Sequence, residues 1–299
     1  MNLYEQRSSN IRRTWVLVLG FLILVIAIGY AISWYYNSPS ILYIAVIIAV
    51  ATNFYAYWQS DKLVLSLNHA RPATREEFFD FYTVTENLAI TAGLPAPKLY
   101  IIEESAPNAF ATGRDEKHAV VCATTGLLAM LSRVELEGVV AHELSHIKNR
   151  DILLMTIAVV LAGFVAIVAD IFLRVSLHGG GHSDDKGTNA FIMILAVVGI
   201  VLAPIAAKLL QMAVSRRREF LADASGVLLT RYPEGLASAL RKISSANIPM
   251  HHASHATAHL FIDEPFGKTE GGKLAWIEGL FATHPPISDR IKALLAPEA

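Results

Sequence analysis

The side chains best suited to chemistry in this chain stand together as His142-Glu143-Leu144-Ser145-His146. On a helix, two histidines four apart leave the same face, separated by about 40° around the axis, so both imidazoles can reach one ion. A glutamate beside the first histidine lies near that ion, where it can take a proton from a metal-activated water. The helix itself is expected on separate grounds, because Ser132-Arg133-Val134-Glu135 upstream is a capping box. A catalytic zinc ion usually has three protein ligands and one open position. Glu219-Phe220-Leu221-Ala222-Asp223 offers two carboxylates on one helical face. Glu219 would complete the site, and Asp223 would accept the remaining ring N–H of a ligand histidine. Taken alone, Glu219 reads more readily as a surface carboxylate paired with Arg216 or Arg218, and it is the intact His142/Glu143/His146 motif that favours the ligand reading. A closed structural zinc site would favour four ligands including cysteine. The one thiol, Cys122, sits in the run Ala119–Ala123 and reads as a small buried hydrophobe.

The elements that must hold these residues are unusually apolar. The 299 residues are 54% hydrophobic and 17% charged, against roughly a quarter charged in soluble domains. The deficit is local: no side chain is charged from Thr14 to Ser60, from Ile152 to Ala169, or from Gly187 to Ala207. Such runs reach the ~18 residues needed to cross a bilayer core. Trp15–Tyr36 and Ile41–Trp58 read as a pair of membrane helices joined by Asn37-Ser38-Pro39-Ser40, with tryptophan and tyrosine at their ends. The first is too long for a signal peptide and reads as a retained anchor. Arg7, Arg12 and Arg13 precede it, and Arg216–Arg218 follow the fourth apolar run. The positive-inside rule therefore puts the N-terminus, and the metal site with it, on the cytoplasmic face. The second pair, about Ile152–Leu173 and Ala190–Ala207, either spans the bilayer too or packs on the soluble part, an alternative raised by Asp170 and Lys208. With a net charge of −1 there is no basis for a nucleic-acid partner.

Between the pairs the chain reads as α+β. Thr74-Arg75-Glu76-Glu77 is a second capping box, expected to open a helix that Gly93 stops. Lys98–Glu103 reads as a strand, and Asn108–Gly113 with Lys117–Ala123 as a hairpin, giving a small antiparallel sheet in a mostly α molecule. The helix from Ser132 has no stop signal before the third apolar run, so the zinc would lie about 9 Å along it from Ile152, at the bilayer surface. The implied organisation is a membrane anchor over 1–60, a first catalytic segment over 61–151, a hydrophobic hairpin over 152–214 and a second catalytic segment over 215–299. His251, His252, His255 and His259 crowd a segment with no acidic neighbour and read as a solvated loop.

Arranged in this order, the motifs resemble those of HtpX-type membrane zinc metallopeptidases, bacterial relatives of the prenyl-protein (CAAX) endopeptidases. Pro107–Gly113 looks like that family's strand beside the active site, and Thr283-His284-Pro285-Pro286 with Arg290 like its C-terminal motif. The resemblance implies a gluzincin-like fold and one zinc ion held by His142, His146 and Glu219, with Glu143 as general base. It further implies a multi-pass protein of the cell membrane that cleaves misfolded or damaged membrane proteins under stress. Asp223, His284, Arg290 and Asn108 would support the site or touch the substrate. Alternatively, His284 caps a turn and Arg290 pairs with Asp289 or Glu278.

Overall fold

The computed structural model describes residues 3–178, 215–251, 257–263, 265 and 285–296. The fourth apolar run, His252, His255, Glu278 and His284 lie outside these residues. Helices α1 (Leu3–Tyr35) and α2 (Pro39–Trp58) form an antiparallel hairpin. They are packed closely enough that a Cβ on Gly29 would lie 2.1 Å from that of Ala45. Both are long and apolar enough to cross a membrane, and in each only 17% of the most apolar stretch is buried inside the protein. A soluble protein's core helix would be mostly covered, so lipid is the solvent that suits these surfaces. Next come α3 (Ser60–Leu67), β1 (Arg71–Pro72), α4 (Phe79–Ala92), β2 (Lys98–Ile102), β3 (Ala109–Gly113) and β4 (Ala119–Thr124). After a short α5 (Thr125–Met130) follow α6 (Arg133–Lys148) and α7 (Asp151–His178). Beyond residue 214 lie α8 (Arg216–Thr230), α9 (Pro233–Ala246) and α10 (Ile287–Leu295).

The sheet has the order β1-β2-β4-β3. The expected hairpin is β3–β4, and Gly113 turns it at φ +132°, where a Cβ would meet the His118 carbonyl at 2.3 Å. The sheet is mixed, not purely antiparallel, because β4 inserts beside β2 and runs parallel to it. Both faces are covered. Ile101, Ala111 and Val121 face a core shared with α4, α6 and α9, while Ile102, Phe110 and Cys122 face one shared with α1 and α7. Strands buried on both faces carry few polar residues, as β3 and β4 do.

Two helix boundaries differ from expectation. Helix α4 begins at Phe79, not after Thr74, and Glu77 points instead to Arg71, with which it forms a two-pronged pair (2.6 and 3.0 Å). The stop at Gly93 holds, at φ +70°. Helix α6 has its capping box, with the Ser132 N–H donating to Glu135 Oε2 at 2.8 Å. It does not run on into the apolar segment: the chain breaks at Asn149 and at Arg150, whose φ is +61°, and α7 starts afresh at Asp151. From Ile152 to Val165 most of α7 is buried against α1, α2, α3 and β3, so this part of the third run is covered by protein.

Candidate metal centre

The ligand face of α6 is set by its packing. Leu136, Val139, Val140 and Leu144 anchor the helix in the main core and leave His142, Glu143 and His146 along its contact with α8. That contact is close because Gly226 of α8 lies against the His142 backbone, where a Cβ would stand 3.1 Å from the His142 nitrogen. Glu219, Ala222, Asp223 and Gly226 form the buried stripe of α8, the i, i+3, i+4, i+7 spacing of one helical face. Glu219 is thereby drawn under both histidines and is not a surface carboxylate: it is 5% exposed.

Ligand-capable atoms of His142, His146 and Glu219 lie within 4.8 Å of one another, the one such grouping among the described residues. The two Nε2 atoms are 3.1 Å apart, and the Glu219 oxygens stand 3.7 Å from that of His142 and 3.5 Å from that of His146. Each Nδ1 faces a buried carboxylate, His142 meeting Asp223 at 2.8 Å and His146 meeting Asp151 at 3.0 Å. If both Nδ1–H groups donate to these carboxylates, the two Nε2 atoms present lone pairs to each other and to a carboxylate, an arrangement that repels itself unless a cation sits between them. The surroundings also draw positive charge. Burial opposes protonation of His146, yet Asp151, Glu219 and Glu143 outweigh it and push its pKa up to about 9. Two imidazoles and one carboxylate, oriented through their outer nitrogens, match the donor set of a catalytic zinc ion.

Around this core the remaining charges are interlocked. Arg290 of α10 is fully buried and grips Asp223 with a fork, Nε to Oδ2 at 2.8 Å and Nη2 to Oδ1 at 2.6 Å. Its Nη1 lies 3.6 Å from Glu219 Oε2. The partner of Arg290 is thus Asp223, not Asp289. Burial alone would raise Asp223, but Arg290 and the His142 ring hold it below the usual carboxylate range. Burial pushes Glu143 up, with Glu219 adding to the effect, while His142, His146 and Arg290 pull the other way. Burial likewise pushes the Cys122 thiol up, in keeping with an inert core residue.

Asp151 is the site residue that spacing did not disclose. It flanks the motif in sequence, and the break at Asn149–Arg150 turns it back onto His146. Asn108 is not in the metal grouping. Its side chain donates to the Asp263 carbonyl at 2.9 Å and accepts the Asp263 N–H at 3.3 Å, clamping that segment to the start of β3. Beside it the Ile262 N–H donates to the Ala109 carbonyl at 3.0 Å, so one end of the β3 edge is already paired. Nor does His251 lack an acid, since Glu104, remote in sequence, accepts from its backbone N–H and lies 2.9 Å from its Nδ1. His259 is buried.

Residues 77–298 match the family model described as Peptidase family M48. Among curated relatives, a "Protease HtpX homolog" of Thermoanaerobacter pseudethanolicus is 48% identical, the match covering 98% of this chain and 97% of that protein. Another protein of the same description, from Streptococcus gordonii, is 43% identical over 98% of this chain and 99% of its own length. The fold is similar to the crystal structure of S. mikatae Ste24p, with a TM-score of 0.53 at 17% identity, covering 98% of this chain and 67% of that one. With its motifs in order, its donor set assembled and relatives aligned from end to end, the chain belongs to peptidase family M48 and is a metallopeptidase.

Proposed function

We propose that the protein is a zinc endopeptidase of the cell membrane that cleaves misfolded or damaged membrane proteins at the cytoplasmic face. His142, His146 and Glu219 would hold one zinc ion per chain. The observation that carries this reading is the convergence of those three side chains with each outer imidazole nitrogen turned to a buried carboxylate. When bound, zinc supplies Lewis acidity, polarising the scissile carbonyl and making an attacking water more acidic. Glu143, next to His142 and held above the usual carboxylate range by burial, takes the proton from that water and delivers it to the departing amine. Asp223 and Asp151 keep the ligand imidazoles in register, and Arg290 fixes Asp223.

The substrate would enter as an extended strand on the edge of β3. The Asn108 carbonyl points toward β4, where it accepts from Thr124, so alternation turns the peptide groups of Ala109 and Ala111 outward. Ala109 is paired with Ile262, and among the described residues Ala111 has no such backbone partner, so main-chain pairing would fall there. Recognition of this kind is indifferent to side chains and suits unfolded clients. The arginines ahead of α1 and at the start of α8 support a cytoplasmic site.

The test is zinc content together with cleavage of an unfolded membrane substrate, for the parent and Glu143→Gln. The variant is expected to keep its zinc and to lose about 10²–10⁴-fold in turnover. Full turnover in the variant would remove Glu143 from the mechanism. A Glu219→Gln protein that binds zinc as tightly as the parent would place the third ligand elsewhere.

A further inference from the structure

The buried face of α1 is not apolar throughout. It runs Asn10, Thr14, Leu17, Phe21, a helical stripe in which each residue is at most 3% exposed. Its upper part is hydrophobic, with Phe21 meeting Phe164 of α7 edge to face at 5.6 Å. Its lower part is polar and ends at the break between α6 and α7. There the two amide hydrogens of Asn10 go to two partners: the Asn149 carbonyl at 3.0 Å and Asp151 Oδ1 at 2.5 Å. Asp151 is fully buried. Its other oxygen, Oδ2, faces His146 Nδ1 at 3.0 Å, and Arg218 Nε approaches Oδ1 at 3.5 Å.

A membrane helix gains little by burying a primary amide, because apolar packing against α7 would hold it equally well without the desolvation cost. Asn10 is useful because it fixes something else. A carboxylate that must orient an imidazole needs its second oxygen held, or it swings about its χ2 bond and the ring turns with it. An amide can donate one hydrogen to the carbonyl of Asn149, just past the end of α6, and the other to the first residue of α7, closing the break while aiming Asp151 at His146. Among uncharged side chains of this length, only Asn carries two such donors.

We propose that the first membrane helix is part of the metal centre, with Asn10 a positioning residue that acts through Asp151 on His146. This rests on the reading of His146 as a metal ligand. Loss of the Asn10 amide leaves Asp151 Oδ1 with only the longer approach of Arg218 Nε at 3.5 Å and lets the His146 ring leave the orientation that turns Nε2 toward Glu219. Zinc is then held less tightly although no ligand has changed. The coupling also makes the centre sensitive to any force that slides α1 along α7, since the same stripe carries both contacts.

The experiment uses the full chain in detergent micelles or lipid discs, loaded with Zn²⁺, and follows zinc release to a chromogenic chelator. Asn10→Leu is compared with the parent, with His146→Ala, and with Leu17→Ala, which loosens the same stripe without touching Asp151. The expected result is zinc release about tenfold faster than the parent for Asn10→Leu, within the 10–100-fold range of outer-shell substitutions, and an unchanged rate for Leu17→Ala despite a lower melting temperature. The Co²⁺-substituted Asn10→Leu protein is expected to show a shifted visible spectrum that Leu17→Ala does not share. Release at the parent rate from Asn10→Leu would overturn the proposal, and so would equal acceleration by Leu17→Ala, which would reduce the effect to packing. Should Asn10→Leu not fold, Asn10→Ala carries the same comparison without added bulk. A parent whose zinc survives His146→Ala would instead remove the ligand reading, and this inference with it.

Discussion

At His142 and His146, the nitrogens available to a metal are those left once Asp223 and Asp151 have engaged the other side of each ring, so the two carboxylates select tautomer and aim together. Asp223→Ala is expected to weaken zinc binding about 10–100-fold, measured by chelator competition. It should also lower the melting temperature, because it strands the buried Arg290 guanidinium. Arg290→Lys is expected to lower both zinc affinity and melting temperature as well. A single ammonium cannot reproduce the paired contacts of Nε and Nη2 with Asp223, and activity within twofold of the parent would contradict that. Among the residues around the metal position, Glu143 was legible from its place beside His142, and Glu219 and Asp223 from their shared helical face once the two histidines called for a third ligand. Asp151 was not, for its role depends on a left-handed Arg150 that no pattern of residue types announces. The alternative in which Arg290 pairs with Asp289 is not the one adopted, because neighbours on one helix do not face each other, whereas Asp223 on α8 does face Arg290.

The elements divide in the same way. Capping boxes at Ser132 and Thr74 look alike in sequence, yet only the first opens a helix: Glu135 turns back onto the Ser132 N–H, while Glu77 turns to Arg71. Glu135 is also held by Lys242 at 2.7 Å and Ser238 at 2.7 Å, which tie α9 to the start of the metal-binding helix. Burial works against its ionisation, but Lys242, Ser238 and the Ser132 contacts bring its pKa down to about 2, from 4.5. A carboxylate with a depressed folded-state pKa stabilises the fold above its unfolded pKa, and that contribution fades as pH falls toward the folded value. Glu135→Gln keeps the capping contact and loses the ion pair, at an expected cost of about 1–3 kcal/mol near pH 7 after allowing for the partly exposed Lys242. The melting-temperature gap between parent and variant should narrow steadily as pH is lowered from about 4.5 toward about 2. A gap independent of pH across that window would mean the stabilisation is not electrostatic. The sheet follows a parallel lesson. A hairpin is a local signal and was readable, while the parallel pairing of β2 with β4 joins residues that no short-range pattern links.

For the whole molecule, the distribution of exposed apolar surface sets the orientation. Trp34 at the end of α1 is 77% exposed, and Tyr43 and Ile47 on α2 are exposed as well, whereas α7 from Ile152 to Val165 is largely covered by α1, α2 and the sheet. The N-terminal hairpin therefore does two jobs: its outer face meets lipid, and its inner face shields the helix that grows from the metal site. If the arginines before α1 stay in the cytoplasm, the turn at Asn37–Ser40 must emerge on the opposite side, and the start of α4 must lie on the side of the metal centre. The chain is well suited to a labelling test, because its one native cysteine, Cys122, is fully buried and its thiol is pushed up by burial and should remain silent. A cysteine placed at Ser40, exposed at the start of α2, is expected to react with a membrane-impermeant maleimide added to intact cells. A cysteine at Glu76, exposed before α4, should react only after the membrane is opened. Reaction of both from outside would mean that the hairpin does not cross the bilayer, and reversal of the two would put the metal centre on the far side. Either result would leave the donor set intact and change only which proteins can reach it, since the compartment follows from how α1 and α2 sit in lipid and the chemistry from how α6 meets α8.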